Sequence, residues 1–329
     1  MAKTEIEWTD QVWNPIRGCT RISEGCRHCY AERQAVRLSG PGWPYEGLVH
    51  STPAGPRWTG KLSFVEEVLR WPLGLRGRHR IFVNSMSDLF HEDAPDEWIE
   101  QIFAVMALAG GQVFQVLTKR ARRMRLLLQD EAFQEGVALF MGKLSRTALG
   151  VRTWPPPNVW LGVSVENAPA VDERIPELLA APAALRWISA EPLLGPISVM
   201  GYLPGHLPVH SGAKLDWVVI GGESGPGARL CRPSWIRSIV RQCRAALVPV
   251  FVKQLGAHVV DRNDAGFDGS EPKAWPDGTE ADRWDLDPGR QYQGADARIL
   301  LEDRKGGDPA EWPEDLRIRL YPQTAEARR

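Results

Sequence analysis

Six short, almost uninterrupted apolar runs recur along this chain, with longer segments of helical period between them. The runs are Arg80 to Asn84 (RIFVN), Val113 to Leu117 (VFQVL), Val159 to Ser164 (VWLGVS), Leu185 to Ser189 (LRWIS), Trp217 to Gly221 (WVVIG) and Pro249 to Lys253 (PVFVK). A strand with one wet face alternates polar and apolar residues, so runs this continuous suit parallel strands covered on both faces. A further short strand is expected at Val12 to Ile16, at the head of the series. One intervening helix opens at Pro95-Asp96-Glu97, where acids meet the positive end of the helix dipole. It buries Trp98, Ile99, Ile102, Phe103 and Met106 and ends at Gly110-Gly111. Another starts near Ser234 and buries Trp235, Ile236, Ile239, Val240 and Cys243. Strand–helix alternation implies right-handed βαβ units and a parallel sheet or barrel.

The chain has 329 residues, 43% of them apolar, enough for a barrel core in one domain with chain to spare. The expected fold class is α/β, a partial (β/α)6-type TIM barrel over residues 1–257, followed by an irregular C-terminal extension over 258–329. No repeat of fixed period is present. Residues 40–60, rich in Gly, Pro and Trp, read as a loop, and Trp154-Pro155-Pro156-Pro157 as a stiff connector. Asp261 to Ala297 reads as a polar irregular stretch, with apolar runs after it at Ala297 to Leu301 and Leu316 to Tyr321. Forty basic residues against 41 acidic ones give no field of one sign, so nonspecific nucleic-acid binding is not the default expectation. There is no basic start followed by an apolar stretch, and no run of the ~20 apolar residues a membrane helix needs. A soluble, cytoplasmic protein is expected.

In a parallel barrel the chemistry sits where strands end. Here each run hands over to polar residues: Ser85, Ser87 and Asp88; Thr118, Lys119 and Arg120; Ser164, Glu166 and Asn167; Glu191; Gly221, Gly222 and Glu223; Lys253 and Gln254. Ordinary solvated loop starts would account for any one of these sets. Glu191, in Ser-Ala-Glu-Pro, is a candidate to bind substrate or relay a proton, with an Arg-paired structural carboxylate as the alternative. Lys119, Arg120, Arg122, Arg123 and Arg125 crowd five positive charges into seven residues. That density marks a solvated helix face or a phosphate-binding patch.

The chain has five cysteines, and three fall within eleven positions: Cys19, Cys26 and Cys29. An odd total and tight clustering in a chain expected to be cytoplasmic point to metal or redox chemistry rather than disulfides. Three thiolates can fix three irons of a [4Fe–4S] cluster and leave the fourth open to the amino and carboxylate groups of a small molecule. Gly18 and Gly25 are expected to supply unusual backbone angles in the loop. A structural zinc site is the alternative. However, His28 adjoins Cys29, an awkward arrangement for two ligands on one ion, and no second C-x-x-C or H-x-x-x-H completes a finger.

Asn14-Pro15-Ile16-Arg17-Gly18-Cys19 followed by Cys26-x-x-Cys29-Tyr30-Ala31-Glu32 resembles the cluster loop of radical SAM enzymes of the spore photoproduct lyase type. The first gap, six residues, is longer than the commonest radical SAM spacing. More broadly the chain resembles the three-Cys-motif phage proteins, through IEWTD, WNPIRGC, GCRHCYAER, NSMSDLFH, LTKRARRM, LGVSVEN, SAEPLLGPI, IGGESGPGAR and VKQLG, spread from residue 5 to about 256.

The resemblance implies a [4Fe–4S] cluster held in a loop at residues 14–32, S-adenosylmethionine as the second cofactor, and an external one-electron donor. It implies Ser85, Ser87 and Asp88 at the amino-acid end of S-adenosylmethionine, Ser164, Glu166 and Asn167 at its ribose, and Gly221, Gly222 and Glu223 beside its adenine. Cys231 becomes a candidate hydrogen-atom donor, as in spore photoproduct lyase; alternatively it is a small buried hydrophobe, as Cys243 is expected to be. Lys119, Arg120, Lys253 and Gln254 are candidates to hold substrate or phosphate, and a nucleic-acid base or nucleotide is the leading substrate class. A family-associated partner protein is also implied. The competing expectation is a noncatalytic, zinc-binding, nucleic-acid-associated phage protein.

Overall fold

The computed structural model describes residues 4–145, 153–205, 213–262 and 296–323. Most of the polar stretch at 261–297 lies outside the described residues. The chain divides into two compact units, Met1–Val163 with Pro176–Arg186, and Ser164–Ile175 with Trp187–Arg329.

The first unit carries β1 (Gln11–Trp13), β2 (Ile16–Arg17), α1 (Tyr30–Arg37), β3 (Val49–Thr52), β4 (Gly55–Trp58), β5 (Ser63–Phe64), α2 (Glu66–Leu69), β6 (Arg80–Val83), α3 (Asp96–Leu108), β7 (Val113–Thr118), α4 (Ala121–Gln129), α5 (Glu131–Leu144) and β8 (Val159–Ser164, whose last residue opens the second unit). After α6 (Ala168–Ala180), the chain enters β9 (Leu185–Ala190), β10 (Trp217–Gly221), α7 (Pro233–Ala245), β11 (Val250–Gln254), β12 (Val259–Arg262) and β13 (Asp296–Ile299). The six apolar runs are thus β6 through β11. They join β1 in one seven-stranded sheet of order β1-β6-β7-β8-β9-β10-β11. The described registers are parallel, with Val12 opposite Phe82, Phe82 opposite Gln115, and Gln115 opposite Trp160 in the first unit. In the second unit Trp217 lies opposite Trp187 and Val219 opposite Phe251. The fold is therefore α/β on a parallel sheet.

Each unit has its own aromatic core. In the first, Trp13 tilts against Phe114 and donates its indole N–H to the Val68 carbonyl in α2. Phe103 of α3 meets Phe133 of α5 edge-on, and Trp154, from the expected stiff connector, packs against both. In the second, Trp187, Trp217, Phe251 and Tyr321 form a continuous ring stack. Burying each such side chain contributes roughly 1.5–3 kcal/mol.

Three sequence expectations change. The strand expected at Val12 to Ile16 breaks at Asn14-Pro15, because proline has no amide to continue a ladder. β1 stops at Trp13, and β2 turns away to pair antiparallel with β5, Ile16 opposite Phe64. The supposed loop at 40–60 contains a hairpin, β3 with β4, Val49 opposite Trp58. It closes over α1 in a small core of Ala31, Ala35, Tyr45, Leu48, Val49 and Trp58, with Cys19 and Cys29 packed against it. Lastly, the end of the chain is tied down. The Val252 amide donates to the Ile318 carbonyl, and the Leu320 amide to the Val250 carbonyl, so residues 318–320 cover the outer edge of β11. Trp312 and Leu316 are fully buried nearby. Among the described residues no helix is long and apolar enough to cross a membrane.

Candidate functional site

The turn after β1 carries the thiols. Asn84, at the end of β6, donates its amide to the Trp13 carbonyl, and its side-chain oxygen accepts the Ile16 amide (3.4 Å). It sits at φ 57°, a conformation asparagine tolerates better than most residues. Asn14 answers by accepting the Ser85 hydroxyl (3.2 Å) and the Met86 amide (3.1 Å). The Ser87 hydroxyl donates to the Ile16 carbonyl at 2.8 Å. Gly18 then passes at φ 92°, so close to the Lys61 carbonyl that a Cβ would overlap it. The other expected special glycine, Gly25, has no such angle; it lies inside the 3₁₀ turn Glu24–Cys26.

Cys19, Cys26 and Cys29 are all half-buried. Burial, aided by the Asp88 carboxylate, pushes the Cys19 thiol up to about 12 against the opposing pull of Arg120; Cys29 and Cys26 push it further up. Burial also raises Cys29, countered by the backbone amides of Glu32 and Ala31 at the start of α1. The thiols therefore share one electrostatic neighbourhood, although among the described residues no three His, Cys, Asp or Glu side chains already converge on a single ion's position. A metal bond there has to displace a firmly held proton.

Beside Cys19 lies a buried ionic network. The Asp88 carboxylate accepts the Thr118 hydroxyl (2.6 Å), the amides of Phe90 (3.0 Å) and Lys119 (3.1 Å), and Arg120 Nη1 (2.9 Å). Arg120 Nε donates to Glu92 at 2.6 Å, and Nη2 to the Thr20 hydroxyl at 2.7 Å. Burial works against the Arg120 charge, but Asp88, Cys19 and Glu92 outweigh it and raise its pKa. His91 Nδ1 accepts the Asp93 amide (3.1 Å), which leaves the proton on Nε2 to donate to the Thr20 hydroxyl (2.9 Å). Burial, then Arg120, lower the His91 pKa, in keeping with a neutral ring.

On the other flank Arg21 grips Glu32 of α1 with Nε and Nη2, and Glu32 also accepts the Trp58 amide (3.2 Å). Glu32 is 1% exposed. Sequence reasoning passed over Thr20, Arg21, Glu32, His91 and Glu92 as individual residues. The available signal was Glu32, a carboxylate on the same helix stripe as Ala31 and Ala35, where only a paired charge is tolerated.

In the second unit Glu191, Lys253 and Gln254 come together. Lys253 Nζ reaches Glu191 at 2.5 Å and Gln254 Nε2 at 3.2 Å, while Gln254 also donates to the Gly222 carbonyl (2.8 Å). A Cβ at Gly221 would press on the Gln254 and Glu191 side chains, at 3.3 and 3.4 Å, and one at Gly222 would collide with the Leu255 carbonyl. Glu223 is held by Arg229 through both oxygens. Glu166 forms a buried pair with Arg174 (2.8 Å), whose guanidinium also reaches the Ser164 carbonyl. Asn167 caps α6 by accepting the Ala170 amide. Cys231 is fully buried against β12, its thiol pushed up to about 12 by burial alone, and Cys243 is likewise buried. Neither presents a surface to a substrate, and both pack as small hydrophobes.

The basic run is largely matched by carboxylates. Arg120 pairs with Asp88 and Glu92, Arg123 with Asp96, and Arg125 with Glu177. Three thiols thus lie on one loop, with the buried Arg120 guanidinium alongside.

The model of the family described as "Protein of unknown function (DUF5131)" matches residues 3–299. No curated protein and no solved structure matches the chain.

Proposed function

We propose that this chain, which belongs to the DUF5131 family, holds a [4Fe–4S] cluster on Cys19, Cys26 and Cys29 and cleaves S-adenosylmethionine in the manner of radical SAM enzymes. The observation that carries the reading is the siting of the thiols: one loop at the carboxyl end of the first strand of a parallel sheet, where α/β folds place their chemistry. It is supported by the resemblance of NPIRGC and CYAE to the radical SAM cluster loop, and of the longer motif series to the three-Cys-motif phage proteins. A partial barrel of the radical SAM type is the reading of the sheet that accompanies it.

When bound and reduced by an external donor, the group supplies one electron to the sulfonium, giving methionine and a 5′-deoxyadenosyl radical that takes a hydrogen atom from substrate. The chain's own residues position and exclude water. Asn14, Asn84 and Ser87 fix the start of the loop, and the apolar cluster around Tyr45 and Trp58 shields Cys19 and Cys29. Asp88 stands in the electrostatic reach of Cys19. Glu191 with Lys253 offers a proton-bearing pair for a substrate contact. A nucleic-acid base or nucleotide is the substrate class this reading favours, on the resemblance to spore photoproduct lyase.

The test uses protein purified without oxygen, reconstituted with iron and sulfide, reduced and given S-adenosylmethionine. A brown protein whose EPR signal responds to S-adenosylmethionine, and 5′-deoxyadenosine that disappears in Cys26→Ala, are the expected results. Tightly bound zinc with no cleavage would reject the proposal in favour of a metal-binding module.

A further inference from the structure

The six residues between Cys19 and Cys26 contain the two side chains that tie the thiol loop to the rest of the first unit. Thr20, next to Cys19, receives Arg120 Nη2 at 2.7 Å and His91 Nε2 at 2.9 Å. Arg120 is itself fixed by Asp88 at 2.9 Å and Glu92 at 2.6 Å, and Asp88 by Thr118 at 2.6 Å. The Cys19 end of the loop is thus bound to the turns that follow β6 and β7. Arg21, one residue on, ties the loop to Glu32, three residues past Cys29, and reaches toward the Pro56 carbonyl of β4 (3.5 Å). Glu32 accepts the Trp58 amide as well, so this second anchor reaches the β3–β4 hairpin.

We propose that the start of the Cys19–Cys26 gap is a two-point brace, Thr20 on Arg120 and Arg21 on Glu32, which restrains the backbone that carries Cys19 and Cys29 in the metal-free chain. Arg120 and Glu32 are then positioning residues. The identity of the group so received rests on the iron–sulfur reading above, whereas the brace itself is a property of the metal-free chain. Buried charge is costly to arrange, and here every Arg120 nitrogen is engaged and Glu32 is held by a bidentate guanidinium. The two anchors engage different elements, the turns after β6 and β7 on one hand and α1 with β4 on the other, so they restrain the Cys19 end and the Cys29 end separately.

The experiment is site-resolved alkylation of the full chain, metal-free and reduced, with iodoacetamide and mass-spectrometric mapping of each cysteine. Thr20→Val is expected to speed modification of Cys19 by about tenfold, with Thr20→Ser restoring the native rate, because a loop released from its anchor opens more often. Glu32→Gln is expected to speed Cys29 selectively. Cys243, buried on α7 of the second unit, reports unfolding that reaches that unit, limited proteolysis reports unfolding of the first, and both stay native in each variant. If Arg120→Gln exposes Cys243, Thr20→Val and Thr20→Ser decide the matter alone. Native rates at Cys19 in Thr20→Val and at Cys29 in Glu32→Gln would overturn the brace. Iron content and midpoint potential of the reconstituted variants form a second readout, in which Thr20→Val lowers the iron bound per chain. Should the wild type take up no iron, the cluster reading fails while the alkylation result still judges the brace.

Discussion

The two units handle buried charge differently. In the first, Arg120 draws partners from two separated segments, Thr20 and the turn that holds Asp88 and Glu92, and each of its nitrogens has one. In the second, Glu223 and Arg229 lie six residues apart, and Glu166 and Arg174 eight apart. Arg174 leaves its buried Nε without a hydrogen-bond partner among the described residues. Such near-neighbour pairs staple one loop to itself. The Arg120 network instead makes the position of one thiol depend on several turns at once. Among the described residues of the second unit, Glu191 with Lys253 and Arg237 with Asp315 span comparable distances, and all four side chains keep some contact with water.

That contrast can be broken by removing one charge at a time and following urea unfolding. Asp88→Asn should have the largest effect, about 3–5 kcal/mol, since it leaves a buried guanidinium poorly compensated and removes an acceptor from Thr118. Glu166→Gln should cost about 3 kcal/mol by the same logic, with fewer partners lost. If the two cost the same, the convergence on Arg120 adds nothing beyond a pair. His91 gives a smaller, pH-dependent effect. Its folded pKa lies below the ordinary 6.5, so the unfolded chain takes up the proton first. The stability it contributes is full above pH 6.5 and declines as pH falls toward the folded value, and His91→Gln should flatten that part of the profile. Smallest is Glu191→Gln, at about 1 kcal/mol or less, because water screens the pair. A loss as large as that of Asp88→Asn would show that the second unit depends on this pair as heavily as the first depends on its network.

The strands were legible because β6 to β11 are covered on both faces, and covered strands leave uninterrupted apolar runs. The β3–β4 hairpin was not, since its Pro53, Gly55 and Pro56 read as loop residues, and its stability comes from packing on α1 that no local pattern announces. For the site, the cysteines and Asp88 stood out by spacing and by place after a strand. Arg120 stood out as one of a basic run, yet its burial and its tie to Thr20 depend on two turns meeting in space. Thr20 carries no sequence signal at all, because a threonine in a polar loop is unremarkable until its partners are known. Ser85 and Ser87, expected near a ligand, also clamp Asn14 and Ile16 through their hydroxyls, a role that no local pattern announces.

The edge of β11 is covered by residues 318–320, which leave the ribosome about 70 residues after the strand they protect. At typical synthesis rates that interval lasts about 4 to 14 seconds. Through that time the last strand of the main sheet presents an unpaired edge rich in Val and Phe, the kind of edge that invites association with other chains. Nascent chains stalled between these points should therefore be the species most dependent on chaperones, and synthesis of residues 318–320 doubles as the step that closes the sheet.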